Sequence, residues 1–182
     1  MERSVVKQHS SISFDPFDGI AIEKVILTTQ SQAEIWIACK LGGKDANRAY
    51  NESISLVFEG VLDENALTEA IQNVVQRHES LRAVFSADGR FMCVLEYTHI
   101  DLETMDLSGY TSQEKKNTIT KFVLDDANHT FDLVSGPLIK VGLLKLNTHK
   151  HQLVITAHHI ICDGWSLGVM LEELGELYSS IV

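Results

Sequence analysis

The feature that most constrains this chain lies near its C-terminal end. The stretch Gln152 to Ala157 is mostly apolar and β-branched, and it runs straight into Ala157-His158-His159-Ile160-Ile161-Cys162-Asp163-Gly164-Trp165-Ser166. Beyond it, Leu167, Met170, Leu171, Leu174, Leu177, Tyr178 and Ile181 recur at helical spacing. The pattern is a buried strand, a short connection and an amphipathic helix. Two histidines and an aspartate therefore sit where a rigid scaffold commonly holds functional groups. Gly164 suits a tight backbone turn at that junction.

A free imidazole has a pKa of about 6.5, so His159 can take or give a proton near neutrality. A histidine acting as a base needs one ring nitrogen fixed so that the other is available. Asp163, four residues on, can orient His159 directly or pair with an arginine and hold the loop; at this level both roles stay open. If the strand continues through both histidines, their side chains alternate, and one of His158 and His159 packs inward while the other faces a site. A zinc site would need about four ligands. His129, His149 and His151 form no ligand-spaced set with the pair, so no metal is expected.

The stretch resembles the His-His-x-x-x-Asp-Gly core of the condensation domains of nonribosomal peptide synthetases, in the chloramphenicol acetyltransferase-like superfamily, and Trp165-Ser166 sharpens the likeness. Three further segments match in order. Arg77-His78-Glu79-Ser80-Leu81-Arg82-Ala83-Val84-Phe85 resembles the family's RHExLRxxF motif. Thr28 to Trp36 resembles its S/T-x-x-Q-x-x-x-W motif, and Phe131 to Leu138 its FDLxxGPL segment. The chain departs from the common pattern at Glu34, Ala157 and Cys162, where Arg, Met and Ser are usual. The likeness runs from about residue 25 to the end, and it is to the N-terminal lobe of a two-lobed domain.

The resemblance implies an α+β fold, a two-layer α/β sandwich with a mixed, mainly antiparallel sheet. It implies a linker over residues 1–23 and the N-terminal lobe over 24–182, with the C-terminal lobe absent. It also implies amide bond formation between a carrier-bound acyl or peptidyl thioester and a carrier-bound aminoacyl acceptor. His159 would be the central catalytic residue, with His158, Asp163 and Gly164 beside it. Gly164 would let the backbone approach closely and place an N–H near the thioester oxygen. Arg77, Arg82 and Trp165 would give structural support, with Arg77 forming a buried pair with Asp163. The expected partners are the C-terminal lobe, upstream and downstream carrier proteins and an adenylation domain. No cofactor is expected on this chain, because the phosphopantetheine arms come with the carriers, and the isolated chain is expected to be inactive. The alternatives are a coenzyme-A-dependent acyltransferase of the same superfamily and a non-catalytic docking lobe.

Composition narrows the rest. With 182 residues, 45% hydrophobic and 22% charged, the chain can build one sizeable core. A net charge of −10 with no Lys/Arg cluster argues against a nucleic-acid surface. No apolar run approaches the ~20 residues of a membrane span, and no h-region opens the chain. Cys39, Cys93 and Cys162 are odd in number and widely spaced, which points to reduced thiols and a cytoplasmic protein. Cys162 reads as a small filler of the turn rather than a nucleophile.

Earlier in the chain, Val25-Ile26-Leu27 predicts a short strand. Thr28 or Thr29 predicts a cap on a helix that carries Trp36 as a core anchor and ends at Gly42-Gly43. A polar loop to Asn51 and a strand through Ile54, Leu56 and Phe58 follow. A helix starting at Asp63 or Asn65 has Leu67, Ala70, Ile71, Val74, Val75 and His78 on its inner stripe. Leu81 to Tyr97 reads as a hairpin about Asp88-Gly89, and Ile100 to Leu107 as irregular. A helix from Ser112 to Asn128 turns Ile119, Phe122, Val123 and Ala127 inward and leaves Lys115 and Lys116 in solvent. Strands Leu138–Leu146 and His151–Ala157 close the order.

Overall fold

The computed structural model describes residues 21–182. Of the segment read as a linker, residues 1–20 lie outside the described residues, whereas Ile22 and Glu23 already belong to strand β1 (Ile22–Leu27). Helix α1 (Gln30–Ala49) begins with a reciprocal cap: Thr29 accepts from the Gln32 N–H while the Gln32 side chain accepts from the Thr29 N–H. The helix breaks at Gly43, whose φ of 62° and ψ of −145° suit only glycine, but it does not end there. It resumes to Ala49 because Asn47 is buried and clips a distant backbone. Its amide nitrogen donates to the Phe131 carbonyl (3.1 Å) and its amide oxygen accepts from the Phe131 N–H (2.9 Å). The expected polar loop is thus a helical turn anchored by one polar side chain.

Strand β2 (Asn51–Glu59) alternates as expected, with Ile54, Leu56 and Phe58 on the more buried side. Asp63 caps α2 (Glu64–Arg77), whose stripe from Leu67 to Val75 is buried. A 3₁₀ turn (Glu79–Arg82) leads into β3 (Ala83–Phe85), which pairs antiparallel with β4 (Phe91–Leu95) across the Asp88-Gly89 turn. The segment expected to be irregular contains β5 (Leu102–Asp106), a parallel partner of β6 (Ile139–Asn147). Its Leu-Glu-Thr-Met-Asp sequence has no apolar alternation because it is an edge strand formed by backbone pairing. Thr111 rather than Ser112 caps α3 (Ser112–Ala127). Lys115 is half-buried and donates to the Leu146 carbonyl. Strand β7 (Lys150–His158) and helix α4 (Gly164–Ile181) complete the chain.

The strands form two sheets, ordered β1-β4-β3 and β2-β7-β6-β5, with only β5–β6 parallel among the described pairs. The expected α+β class with mixed, mainly antiparallel pairing is what the chain forms. In β6 and β7, odd-numbered residues such as Val141, Leu143, Leu153 and Ile155 face the main core with α2 and α4. Even-numbered Leu144 and Val154 face α3, where Phe122 and Leu107 complete a smaller core, so α3 adds a helical layer on the far face. That layer holds a charge: Asp126, 1% exposed, meets the Lys140 ammonium at 2.6 Å and the Thr156 hydroxyl at 2.9 Å, and Lys140 also reaches Glu103 at 2.8 Å.

The smaller sheet is tied by Arg82 rather than by burial of β1, every residue of which is exposed. The Arg82 side chain is 4% exposed, and its Nη1 donates to Glu23 (2.9 Å) and to the carbonyls of Leu95 and Glu96. Arg82→Ala should lower unfolding stability by about 2–3 kcal/mol, because buried acceptors lose their donor. Arg77→Ala should stay within about 1 kcal/mol in the same urea titration, as an exposed ion pair predicts. On the other sheet, a Cβ at Gly142 would lie 2.4 Å from the Phe122 ring. Gly142→Ala should therefore cost about 1–3 kcal/mol by overpacking, and Phe122→Leu in the same chain should recover part of that loss.

Candidate active site

Three segments of the chain converge on the loop between β7 and α4. From the first, the Gln32 amide donates to the Ile160 carbonyl (3.3 Å). From the second, His78 Nε2 lies 2.8 Å from the Glu173 carboxylate of α4, and Ser80 and Leu81 share a cleft with Cys162, Trp165 and Ser166. From the third, Phe131 sets its ring edge-on to His158, and Leu138 accepts from the His158 N–H at 2.9 Å. Convergence of segments from the whole length of the chain marks this junction as the candidate site.

The adjacent histidines are used in opposite ways. His158 is fully buried, its ring near those of Tyr50 and Phe131. Its Nδ1 accepts the Ile160 N–H (3.2 Å), which leaves the proton on Nε2, 3.7 Å from the Cys39 sulfur. Desolvation, aided by the neighbouring His159, lowers its pKa from 6.5 to about 4. His158 is therefore a neutral structural imidazole. His159 is turned the other way, with 38% of its side chain exposed, and its N–H donates to the Tyr50 carbonyl (2.7 Å). Its Nδ1 has no accessible surface and lies 3.2 Å from Glu52 Oε1, outside hydrogen-bond geometry. Of the two ring nitrogens, Nε2 is therefore the accessible one.

Several expectations are corrected here. Asp163 does not pair with Arg77. It caps α4, accepting from the Ser166 N–H (2.8 Å) and hydroxyl (2.6 Å), and these bonds hold its carboxyl below the usual range. A helix start leaves backbone N–H groups without partners, and Asp163 is the acceptor within reach. Arg77 is 64% exposed and sits 3.5 Å from Glu173, whose carboxyl is lowered chiefly by the His78 hydrogen bond. The arginine buried in this motif is Arg82. Gly164 does not occupy left-handed backbone; it is the first residue of α4, and a Cβ there would come no closer than 3.9 Å, to Glu52. Trp165 is 84% exposed and supports nothing in the described structure. Cys162 is buried, and desolvation, with Glu52 and Asp163 nearby, pushes its thiol up to about 12, so it is a filler and not a thiolate.

Glu52 was not visible in the sequence as a site residue. It comes to the site because β2 and β7 pair in register, Glu52 opposite Ala157 and Asn51 opposite His158. Its unusual feature is a carboxylate near the end of an otherwise ordinary strand. Among the described residues no cluster of His, Cys, Asp and Glu could hold a metal ion, and no helix is long and apolar enough to cross a membrane.

The sealed state of His158 gives a pH dependence with a definite sign. Its folded pKa, about 4, lies below the 6.5 of an exposed histidine. Between those values the unfolded chain binds a proton that the folded chain refuses. Stability is thus retained above the upper value and lost as pH falls towards the lower one, by up to roughly 3 kcal/mol. Urea unfolding across this range should show that slope, and His158→Phe should flatten it.

The Condensation domain family model matches residues 22–182. Over 158 residues the chain is 34% identical to chondramide synthase of Chondromyces crocatus, covering 86% of this chain and 4% of that protein. It is 32% identical over 152 residues to malpinin synthetase of Mortierella alpina, covering 82% of this chain and 2% of that one. The starter condensation domain of rhizomide synthetase superposes with a TM-score of 0.78 at 22% identity, over 87% of this chain and 39% of that one. The first condensation domain of the calcium-dependent antibiotic synthetase does so with 0.73 at 25% identity, over 84% and 37%. The chain thus spans a few per cent of the synthetases it matches and under half of the solved domains. A matching family model over nearly all the described residues, on the same fold, makes this chain a member of the condensation domain family of nonribosomal peptide synthetases.

Proposed function

We propose that this chain supplies the His159-bearing lobe of a condensation domain that joins a carrier-bound acyl or peptidyl thioester to a carrier-bound aminoacyl acceptor. The observation that carries this reading is the placement of His159. It sits at a strand-to-helix junction with Nδ1 closed off and the rest of the ring open, inside the family's motif. The acceptor amine attacks the thioester carbonyl, the C–N bond forms and the C–S bond breaks. The amine gives up a proton as the bond forms, and the departing thiol sulfur takes one up. His159 contributes by taking that proton or by holding the amine in line, and holding two tethered reactants can supply about 7–11 kcal/mol. His158 keeps the loop in place and Asp163 fixes the start of α4.

The partners follow from the chemistry. Both substrates arrive on phosphopantetheine arms of carrier proteins, one upstream and one downstream, and an adenylation domain loads the acceptor. A C-terminal lobe completes the channel, so the isolated chain does not turn over. A second reading takes its donor as a free acyl-coenzyme A; a mutant of the starter condensation domain of rhizomide synthetase has been solved in complex with C8-CoA.

The test uses the synthetase that contains this chain, with both carriers loaded, and follows amide product by mass spectrometry. His159→Ala should lower product formation by about 10²–10⁴-fold, the range of a positioned general base. The 182-residue chain alone should form no amide. Unchanged turnover in the variant would refute the assignment, and product from acyl-coenzyme A in the absence of the upstream carrier would favour the second reading.

A further inference from the structure

Glu52 has no role in what has been described so far, yet its carboxylate lies beside the buried nitrogen of His159. Its Oε1 lies 3.2 Å from Nδ1, its other oxygen points towards Gly164, and the carboxylate is 36% exposed. Nδ1 itself has no accessible surface and no aligned hydrogen bond. A buried ring nitrogen left without a partner is costly, so a nearby acceptor decides which tautomer the ring adopts. Asp163 is engaged at the start of α4, where its Oδ1 takes both the Ser166 N–H and the Ser166 hydroxyl, and it makes no hydrogen bond to His159. Both Glu52 and His159 are half-exposed, so a small side-chain rotation brings the carboxylate into line. Contacts of this kind commonly tighten only when substrate is bound.

We propose that Glu52 is a positioning residue for His159: by accepting a hydrogen bond from Nδ1–H, it leaves Nε2 bare towards the substrate amine. The proposal deepens the amide-forming reading and rests on it for its catalytic consequence. Its structural part stands apart, because the tautomer can be read without turnover. A bare Nε2 is what either role of His159 requires, since both accept the amine's N–H. Glu52 acts on the ring alone and is not placed against substrate.

The first measurement is the ¹⁵N resonance pattern of ring-labelled histidine in this chain, at mildly alkaline pH where an ordinary imidazole of pKa about 6.5 is neutral. His159 should show a protonated Nδ1 and an unprotonated Nε2. Glu52→Leu and Glu52→Ala should shift the proton towards Nε2, and Glu52→Gln, whose amide oxygen can still accept, should largely restore the original pattern. An Nε2–H tautomer in the unaltered chain, a reading that needs no variant, would overturn the proposal. So would a pattern that Glu52→Leu leaves unmoved. The second measurement is kcat in the loaded synthetase. Glu52→Leu should lower it about 10- to 100-fold, part of the ~10²–10⁴ of a general base, with KM for the carrier-bound acceptor changed by less than about threefold. A shifted tautomer with undiminished kcat, while His159→Ala abolishes turnover, would overturn the positioning role. If His159→Ala is also without effect, the amide-forming reading fails and the Glu52–His159 pairing survives on the resonances alone.

Discussion

Everything at this site depends on a neutral imidazole held where water cannot reach it. His158 has its N–H on Leu138, its Nδ1 on the Ile160 N–H, and its ring near Tyr50 and Phe131. Those contacts bring together the family's FDL segment, the end of α1 and the last strand. Strand β7 ends at His158, and the chain turns at His159, whose backbone N–H is taken by the Tyr50 carbonyl, so the second imidazole leaves the enclosed face. A charged His158 would oppose that enclosure, and burial keeps it neutral by lowering its pKa to about 4.

Much of this was legible in the sequence. The run from Gln152 to Ala157 and the helical spacing after Leu167 mark the strand and helix correctly, and the caps Thr29 and Asp63 are each one of the two candidates the sequence offers, beside Thr28 and Asn65. One histidine is inward and the other outward, as expected, but the cause is the turn that begins at His159 and not alternation along a continuing strand. Three things were not legible, each for a physical reason. Strand β5 carries no apolar period because backbone pairing to β6 forms it. The continuation of α1 past Gly43 depends on Asn47 meeting Phe131, a contact far apart in sequence. Glu52 reaches His159 only through the β2–β7 register, which no local pattern encodes.

The arginines show a different limit. A motif with two guanidinium groups does not say which one the fold encloses. Pairing Arg77 with Asp163 treats the carboxylate as unclaimed, whereas a helix start already claims it. Arg77 is left at the surface near Glu173, and Arg82 enters the interior to bridge β1 and β4. Local hydrogen-bond demand at a helix terminus decides the outcome over long-range charge pairing.

The Asp126–Lys140–Thr156 cluster has a consequence for registry. An apolar helix face can slide along a sheet and exchange one greasy contact for another. A carboxylate that is 1% exposed cannot, since a displaced helix would strand its charge away from the ammonium at 2.6 Å and the hydroxyl at 2.9 Å. Helix α3 is therefore indexed against β6 and β7 at one setting, much as a pin locates a plate. The strand that ends in the two histidines is braced from behind by that setting, so thermal sliding of the outer layer does not reach the imidazoles.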